Sequence, residues 1–213
     1  MQIDYAKLTT HERYKLLVST VVPRPIALAT TVDLQGVVNA APFSFFNAVC
    51  DEPAAVMMCV NAVPGALKDT ARNIRDTGEF VVNLVDEDIA NAMNICAVDF
   101  PPEVDELKEA GLTAAPSLKV RPPRIAESPV SFECRRLANL ELGIGRNLVV
   151  GEVLTAHIRD ELIDAEKLRV HTEKMRLIGR MHGTGWYART TDLFEMPRLS
   201  LDEFRQLKAA AED

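Results

Sequence analysis

NAAPFSFFN, residues 39–47, concentrates three of the chain's eight phenylalanines within four positions, beside a proline and a serine. In a strand, Phe43 and Phe45 would point to one face and Ser44 to the other. Pro42 has no backbone donor, which a strand tolerates at a sheet edge or an irregularity. The stretch therefore predicts either a core strand with a bulge or a flat apolar surface with polar edges, suited to a planar heteroaromatic ring.

On both sides of this stretch, apolar runs bounded by turn residues predict an antiparallel sheet. Residues 25–46 are typical of a hairpin, because a β-branched run, the loop DLQG and a second apolar run follow one another. Further strands are expected at 54–60, 80–85, 130–136, 148–158 and 176–181. Helical segments do not alternate regularly with these strands. A mainly β fold, an antiparallel barrel decorated by helices, is therefore favoured over a doubly wound parallel sheet.

Capping signals predict the helices. TTHE at residues 9–12 has the spacing of a capping box, and so does SLDE at the start of an expected C-terminal helix over 200–211. A helix over 68–77 would end at Gly78, a residue type that favours the left-handed C-cap. A fourth helix is expected at 103–110.

Composition limits the class of protein. The chain is 47% hydrophobic and 26% charged, as in globular proteins, and residues 1–213 are expected to form one domain with its barrel core at about 15–190 and an excursion at 101–123. A net charge of −7 argues against a nucleic-acid binder. No apolar stretch is long enough to span a bilayer, and no signal peptide is visible. Four cysteines without ligand spacing suggest a reduced, cytoplasmic protein.

Residues 65–72, GALKDTAR, place a glycine loop before a helix. The first N–H groups of a helix lack partners and carry partial positive charge, so they bind phosphate readily. Lys68 could add a charge and Thr70 a hydroxyl donor. Alternatively, Asp69 or Thr70 only caps the helix and Lys68 is solvated. The phosphate loop of nucleotide hydrolases is excluded, because its GxxxxGK[ST] pattern is absent.

The other motifs in the sequence give weaker indications of a binding or catalytic site. GIGRN at 143–147 lacks the third glycine of a dinucleotide fingerprint and precedes a strand, so a hairpin turn is the better interpretation. HGTGWY at 182–187 places the only Trp beside His182, which could hydrogen-bond a ligand or simply occupy a turn. No metal site is expected from the scattered histidines. Ser44 and Ser131 lack a nucleophile elbow, so a serine hydrolase is unsupported.

Taken together, several segments resemble one family. They are PRPIALATT at 23–31, NAAPFSFFN at 39–47, KDT at 68–70 with NI at 73–74, GEFVVN at 78–83, LVVGEV at 148–153 and the Gly179-Arg180 strand. These segments follow the family's order over about residues 15–190. The chain resembles the flavin reductase-like group of FMN-binding split barrels.

This resemblance implies a split β-barrel, a six-stranded Greek-key antiparallel barrel, that forms a homodimer with FMN, rather than FAD, in a groove near the subunit interface. The residues it assigns to cofactor binding are Arg24, Thr30, Asn39, Ala40, Ala41, Pro42, Phe43, Ser44, Phe45, Asn61, Lys68, Asp69, Thr70 and Arg180. Residues 39–45 would line the isoalloxazine, and residues 68–70 would lie close to the ribityl phosphate. His182 or Trp186 would contact the nicotinamide or the flavin.

The activity implied by the resemblance is that of an NAD(P)H-dependent flavin reductase, in which NAD(P)H is the co-substrate and passes a hydride to flavin N5. A partner oxygenase, or oxygen itself, could receive the reduced flavin. The cofactor carries this chemistry, so no catalytic side chain is required by it. Two alternatives stay open. One is a flavoprotein that retains FMN and acts on a small organic substrate; the other is a flavin-binding or redox-sensing protein without turnover.

Overall fold

The computed structural model describes residues 1–61, 67–143 and 145–210. Its helices are α1 (Thr10–Thr20), α2 (Asp69–Thr77), α3 (Ala90–Ile95), α4 (Glu106–Glu109) and α5 (Leu201–Ala210). Its strands are β1 (Ala27–Val32), β2 (Val38–Phe43), β3 (Phe46–Asp51), β4 (Ala54–Asn61), β5 (Glu79–Leu84), β6 (Ala114–Ala115), β7 (Arg124–Ile125), β8 (Val130–Glu141), β9 (Arg146–Ile158), β10 (Ile163–Asp164), β11 (Arg169–Val170), β12 (Ile178–Arg180) and β13 (Tyr187–Arg189). Three short 3-10 helices are Tyr5–Lys7, Asp160–Leu162 and Thr172–Lys174.

Seven strands form one antiparallel sheet in the order β2-β1-β5-β8-β9-β4-β3. β2 and β3 lie at opposite ends of this order, yet only residues 44 and 45 separate them along the chain. One residue spans at most about 3.5 Å, so the sheet has to curl until its two edges meet at this seam, residues 44–45. At the seam, the N–H of Cys59 in β4 donates to the carbonyl oxygen of Phe45 at 2.8 Å and so extends the β3–β4 pairing to residue 45. With β2 and β3 counted as one bent strand, the barrel has the six strands expected.

Two apolar clusters lie on opposite faces of β1, which is buried along its whole length. Ala27 and Ala29 face the barrel interior, where Phe80 is one of the largest fully buried side chains. Leu28 faces outward into a second cluster, beneath α3 and α4, that contains Leu107. Burial on both faces explains why β1 reads as a nearly continuous apolar run.

The barrel interior has no room for a side chain at position 151. A Cβ on Gly151 would lie 2.7 Å from Cε1 of Phe80 and 3.3 Å from Cβ of Cys134. Both neighbours are buried, and Phe80 is only 1% exposed. The phenyl ring therefore fills the interior volume that a glycine in β9 leaves open.

The helix ends follow the predicted capping signals. The Thr9 hydroxyl accepts from the N–H of Glu12 at 3.3 Å, and the Glu12 carboxylate accepts from the N–H of Thr9 at 2.8 Å. Ser200 and Glu203 form the same reciprocal pair before α5. Gly78 ends α2 in the left-handed region, with φ of 75°. These boundaries are thus fixed by local side-chain chemistry.

Two predicted elements are shorter in the structure. The helix expected at 103–110 is reduced to α4, because Asp105 accepts from the N–H of Leu107 and so caps the helix there. The strand expected at 176–181 is reduced to β12, because Arg176 has a φ of 49°, outside the range of a strand. β3 and α3 were not predicted. The glycine at position 65 and the centre of the turn at 143–147 lie outside the described residues.

The excursion at 101–123 is tied to the outside of the sheet by a buried carboxylate. Glu133 in β8 is fully buried and accepts from the N–H groups of Leu118 at 2.7 Å and Lys119 at 2.6 Å. Nε2 of His157 lies 2.6 Å from the same carboxylate.

No helix in the described ranges is long and apolar enough to cross a membrane.

Glu133→Ala is expected to lower the free energy of unfolding by about 2–3 kcal/mol, because two backbone N–H groups lose their acceptor. Burial would raise the pKa of Glu133, but hydrogen bonds from Leu118, His157 and Lys119 outweigh it and hold the pKa below its usual value. A lowered native pKa gives stabilisation that is complete above about pH 4.3 and is lost as the pH falls through the native pKa. Urea unfolding across this range measures the effect. The exposed Glu166→Ala is the control, and a wild-type advantage over Glu133→Ala that stays constant to low pH would contradict the account.

Candidate functional site

A cavity of about 440 Å³ brings together half of the predicted site residues. Those that line it are Asn39, Ala41, Pro42, Phe43, Lys68, Asp69 and Thr70. The opposite wall is formed by residues 96–100 and by Glu106. The groove therefore runs between β2, the start of α2 and the segment that follows α3.

Two smaller depressions open from the same strand. One, of about 190 Å³, is lined by Ser44, Phe45 and Asn61. The other, of about 270 Å³, also reaches Ser44 and extends to Arg180. Both include Pro42 and Phe43, which also line the larger cavity. The end of β2 and the seam thus form the junction of all three spaces.

Two of the walls of the groove, β2 and the start of α2, are fixed to each other by side-chain amides. Nδ2 of Asn39 donates to Oγ1 of Thr70 at 3.0 Å and to Oγ1 of Thr31 at 3.2 Å. Asn73 in α2 donates to the same Thr31 hydroxyl at 3.0 Å. All four side chains are buried. This network sets the distance between β2 and α2, and with it the width of the groove.

The first turn of α2 presents open N–H groups at one end of the cavity. Lys68 is the N-cap residue, and no side chain in the described residues caps this helix. Nζ of Lys68 lies 3.5 Å from Asp99, and both side chains are well exposed, so the pair is weak. Asp69 pairs with Arg72 instead. The helix terminus and Lys68 therefore remain available to an anion.

Glu106 is the buried acid of the groove, 7% exposed. Burial raises its pKa, an effect that the hydrogen bond from Ala40 opposes and the charges of Asp69 and Asp105 reinforce. Burial and the nearby Glu106 also raise the pKa of the Cys96 thiol to about 12. Cys96 is therefore held as an unreactive thiol.

The donor set of the groove fits a phosphate-bearing planar ring. The helix terminus, with Lys68 and Thr70, supplies donors for a phosphate, and Ala41 to Phe43 supply an apolar wall for a ring. The Tyr14 ring lies 6.5 Å from that of Phe45, at the edge of the same wall. The residues present thus fit FMN.

Three predicted site residues direct their side chains elsewhere. Thr30 is fully buried, and its hydroxyl donates to the carbonyl oxygen of Pro123. The Ala40 methyl group packs in the outer apolar cluster. The Arg24 guanidinium donates to backbone carbonyls and approaches only the Ser44 hydroxyl of the site, at 3.4 Å. In this structure these side chains support the walls of the groove.

The remaining predicted residues lie at the end of β12 and in the turn between β12 and β13. The Arg180 guanidinium lies 4.6 Å over the Tyr187 ring and donates to the carbonyl oxygens of residues 183 and 184. His182 and Trp186 stack on each other, with centroids 6.0 Å apart, and both are exposed. Neither lines the three spaces around Phe43. The ring pair instead lies on the exposed surface of the turn that follows Arg180.

Several lining residues were not predicted as site residues: Tyr14, Met93, Asn94, Asp99 and Glu106. They come from α1, α3, the segment 96–100 and the excursion, and no sequence motif connects them with the groove. Within the described residues, no cluster of His, Cys, Asp or Glu could hold a metal ion. All four cysteines are free thiols.

Comparison with known proteins gives one family and closely similar structures. The model of the flavin reductase like domain matches residues 18–179. The 2-nitrobenzoate 2-nitroreductase of Pseudomonas fluorescens is 36% identical, with a TM-score of 0.87 over 94% of this chain and 98% of its own. Nitrilotriacetate monooxygenase component B of Bacillus cereus is 34% identical, with a TM-score of 0.88 over 92% of this chain and 98% of its own.

A Shewanella frigidimarina protein with a split barrel domain is 20% identical, with a TM-score of 0.80 over 93% of this chain and 100% of its own. At this identity the likeness bears on the fold alone. It confirms the predicted mainly β fold of the split-barrel type.

Proposed function

Because the chain belongs to the flavin reductase-like domain family, we propose that it is an NAD(P)H-dependent flavin reductase with FMN in the groove between β2 and α2. The observation that carries this proposal is that one cavity is lined both by an apolar wall and by a helix N-terminus. The apolar wall at 41–43 suits the flavin ring, and the open helix terminus at 68–70 suits its phosphate. One helix terminus with one lysine matches the single phosphate of FMN, which favours FMN over FAD.

Bound FMN would supply the redox chemistry, accepting a hydride at N5 from the nicotinamide. The chain's own residues would bind the flavin and orient it. Pro42 and Phe43 would pack against the flavin ring, and the Asn39–Thr70 hydrogen bond keeps β2 at a fixed distance from the start of α2. Residues 96–100 form the opposite wall of the cavity. No side chain is assigned an acid or base role, since hydride transfer needs none.

The partners belong to the same proposal. Nitrilotriacetate monooxygenase component B is, by its name, one part of a monooxygenase, which supports a partner oxygenase as the acceptor of reduced flavin. A homodimer is supported by exposed apolar side chains near the groove and along the C-terminal segment, namely Leu17, Val21, Phe194, Met196, Leu199 and Phe204. A cytoplasmic location is consistent with the four free thiols.

A second candidate is a reductase that retains FMN and reduces a small organic substrate. The 36% identity with a 2-nitrobenzoate 2-nitroreductase favours it. So does a cleft of about 520 Å³ between α3 and the β12–β13 hairpin. This cleft shares Met93, Asn94, Thr184 and Tyr187 with the space beside Phe43, and could admit an organic molecule next to the ring.

The test of the proposal is the visible spectrum of protein loaded with FMN, followed by anaerobic addition of NADH and then NADPH. We expect the flavin bands to bleach rapidly with one nicotinamide and free reduced flavin to pass through a filter that retains the protein. Bleaching with the flavin retained would favour the second candidate. Bands that do not bleach would leave only flavin binding, and a failure to bind flavin would overturn the proposal.

Lys68→Ala is the matched variant for the phosphate end. Loss of its charge should weaken FMN binding by about tenfold and leave riboflavin, which has no phosphate, unaffected. Lys108→Ala, which removes a well-exposed lysine from α4, is the control. Equal weakening of FMN and riboflavin by Lys68→Ala would contradict the assignment of the phosphate to this helix terminus.

A further inference from the structure

The Glu106 carboxylate meets the backbone of the ring wall itself. Its Oε2 accepts from the N–H of Ala40 at 2.9 Å. Ala40 lies between Asn39, which bonds to Thr70 in α2, and Ala41, which lines the cavity. The acid thus holds the one residue of β2 that links the phosphate end of the groove to its ring end.

The fold places Glu106 there by packing, not by charge. Leu107, its neighbour in α4, is 1% exposed and anchors the helix in the outer apolar cluster beneath β2. Among the described residues, no lysine or arginine forms an ion pair with Glu106. A buried carboxylate with so little compensation is costly, and a backbone carbonyl could cap the strand edge at less cost. Its position in the groove therefore points to a role in binding.

We propose that Glu106 is a positioning residue of the flavin groove, which acts by fixing the Ala40 N–H and thereby the ring-lining residues 41–43. This inference rests on the proposed function and extends it to the excursion at 101–123. Glu106 acts through the backbone of β2, so its contribution depends on an acceptor atom at the right distance. Negative charge is not required for it.

The inference is tested with three substitutions that separate acceptor from charge. Glu106→Gln keeps an acceptor oxygen without the charge, and its affinity for FMN should stay within about twofold of wild type. Glu106→Leu removes the acceptor at similar size and should weaken FMN and riboflavin alike, by about tenfold. Glu106→Asp keeps the charge but shortens the side chain, and should weaken both flavins in the same way.

Flavin affinity is measured by fluorescence titration, with thermal unfolding of the flavin-free protein run in parallel. Glu109→Leu, an exposed acid on the same helix, is the control and should bind as wild type does. If Glu106→Leu does not fold, the difference in flavin affinity between the Gln and Asp variants shows whether the acceptor atom or the charge is required. Equal weakening by Gln and Asp, or no weakening by either Leu or Asp, would overturn the inference. Failure of the wild type to bind flavin would instead overturn the proposed function.

Discussion

Replacing Gly151 with alanine should lower the free energy of unfolding by about 2–4 kcal/mol, a large share of the stability of a domain this size. The added methyl group would lie 2.7 Å from Cε1 of Phe80, well inside van der Waals contact. Phe80 is enclosed by the barrel and cannot swing away. Gly151 also lies in the middle of β9, paired with both neighbouring strands, so the backbone cannot retreat without breaking ladder hydrogen bonds.

Urea unfolding, read from the midpoint and the slope, measures this loss. Gly185→Ala is the matched control, since a Cβ there meets nothing within 4 Å; it should change stability by less than about 0.5 kcal/mol. Phe80→Leu opens the space that the alanine needs, so the double variant Gly151→Ala/Phe80→Leu should lose less than the sum of the single losses. Simple additivity would show that the ring and the glycine are not in steric conflict.

Arg24→Met should cost about 3 kcal/mol of stability, because a buried guanidinium is shared among carbonyl groups that no other donor replaces. Its Nη1 donates to the carbonyls of Val18 at 2.6 Å and Val21 at 2.8 Å, and Nη2 donates to that of Met181 at 2.9 Å. Burial lowers the pKa of Arg24 from its ordinary value. The side chain thus joins the end of α1 to Met181, the residue that follows β12.

Thermal and urea unfolding of the flavin-free protein measure this effect. Arg13→Met is the control, because Arg13 also donates to the backbone carbonyls of Tyr5 and Ala6 but on an exposed surface; its loss should be less than about 1 kcal/mol. The loss of stability in Arg24→Lys should lie between those of Arg24→Met and Arg13→Met, because an ammonium group cannot reproduce the planar fork of the guanidinium. Unchanged stability of Arg24→Met with weakened flavin binding would identify Arg24 as a direct flavin contact, as the family resemblance implies.

Signals that act over a few residues made much of this fold predictable. The capping box at Thr9 and Glu12 and the glycine at position 78 mark helix ends by local hydrogen bonding and backbone freedom. The burial of β1 on both faces shows directly in its composition. By contrast, α3 buries only Met93 and so has no apolar periodicity to detect. β3 is mostly exposed and continues β2 beyond the seam, which made its first residue look like the end of the hairpin.

The contacts that shape the groove depend on residues far apart in sequence. The Arg24 guanidinium reaches a carbonyl 157 positions away, and Glu106 reaches Ala40 across 66 positions. In sequence, Glu106 belongs to a run of charged residues that looks solvated, and only the packing of Leu107 places it inside. The stretch at 39–47 was recognisable because its unusual composition is itself local. Glu106, which supports this stretch, was not recognisable, because one carboxylate among many carries no sequence signal.

The seam has a consequence for how copies of this chain meet one another. A strand with open N–H and C=O groups is a template on which a further strand can add, and repeated addition leads to fibres. In β2, Glu106 occupies the Ala40 N–H. In β3, Ala48 pairs with Val56 and Cys50 with Ala55, so Val49 bulges out of the ladder. Both strands that border the seam are therefore poor templates for the addition of a further strand.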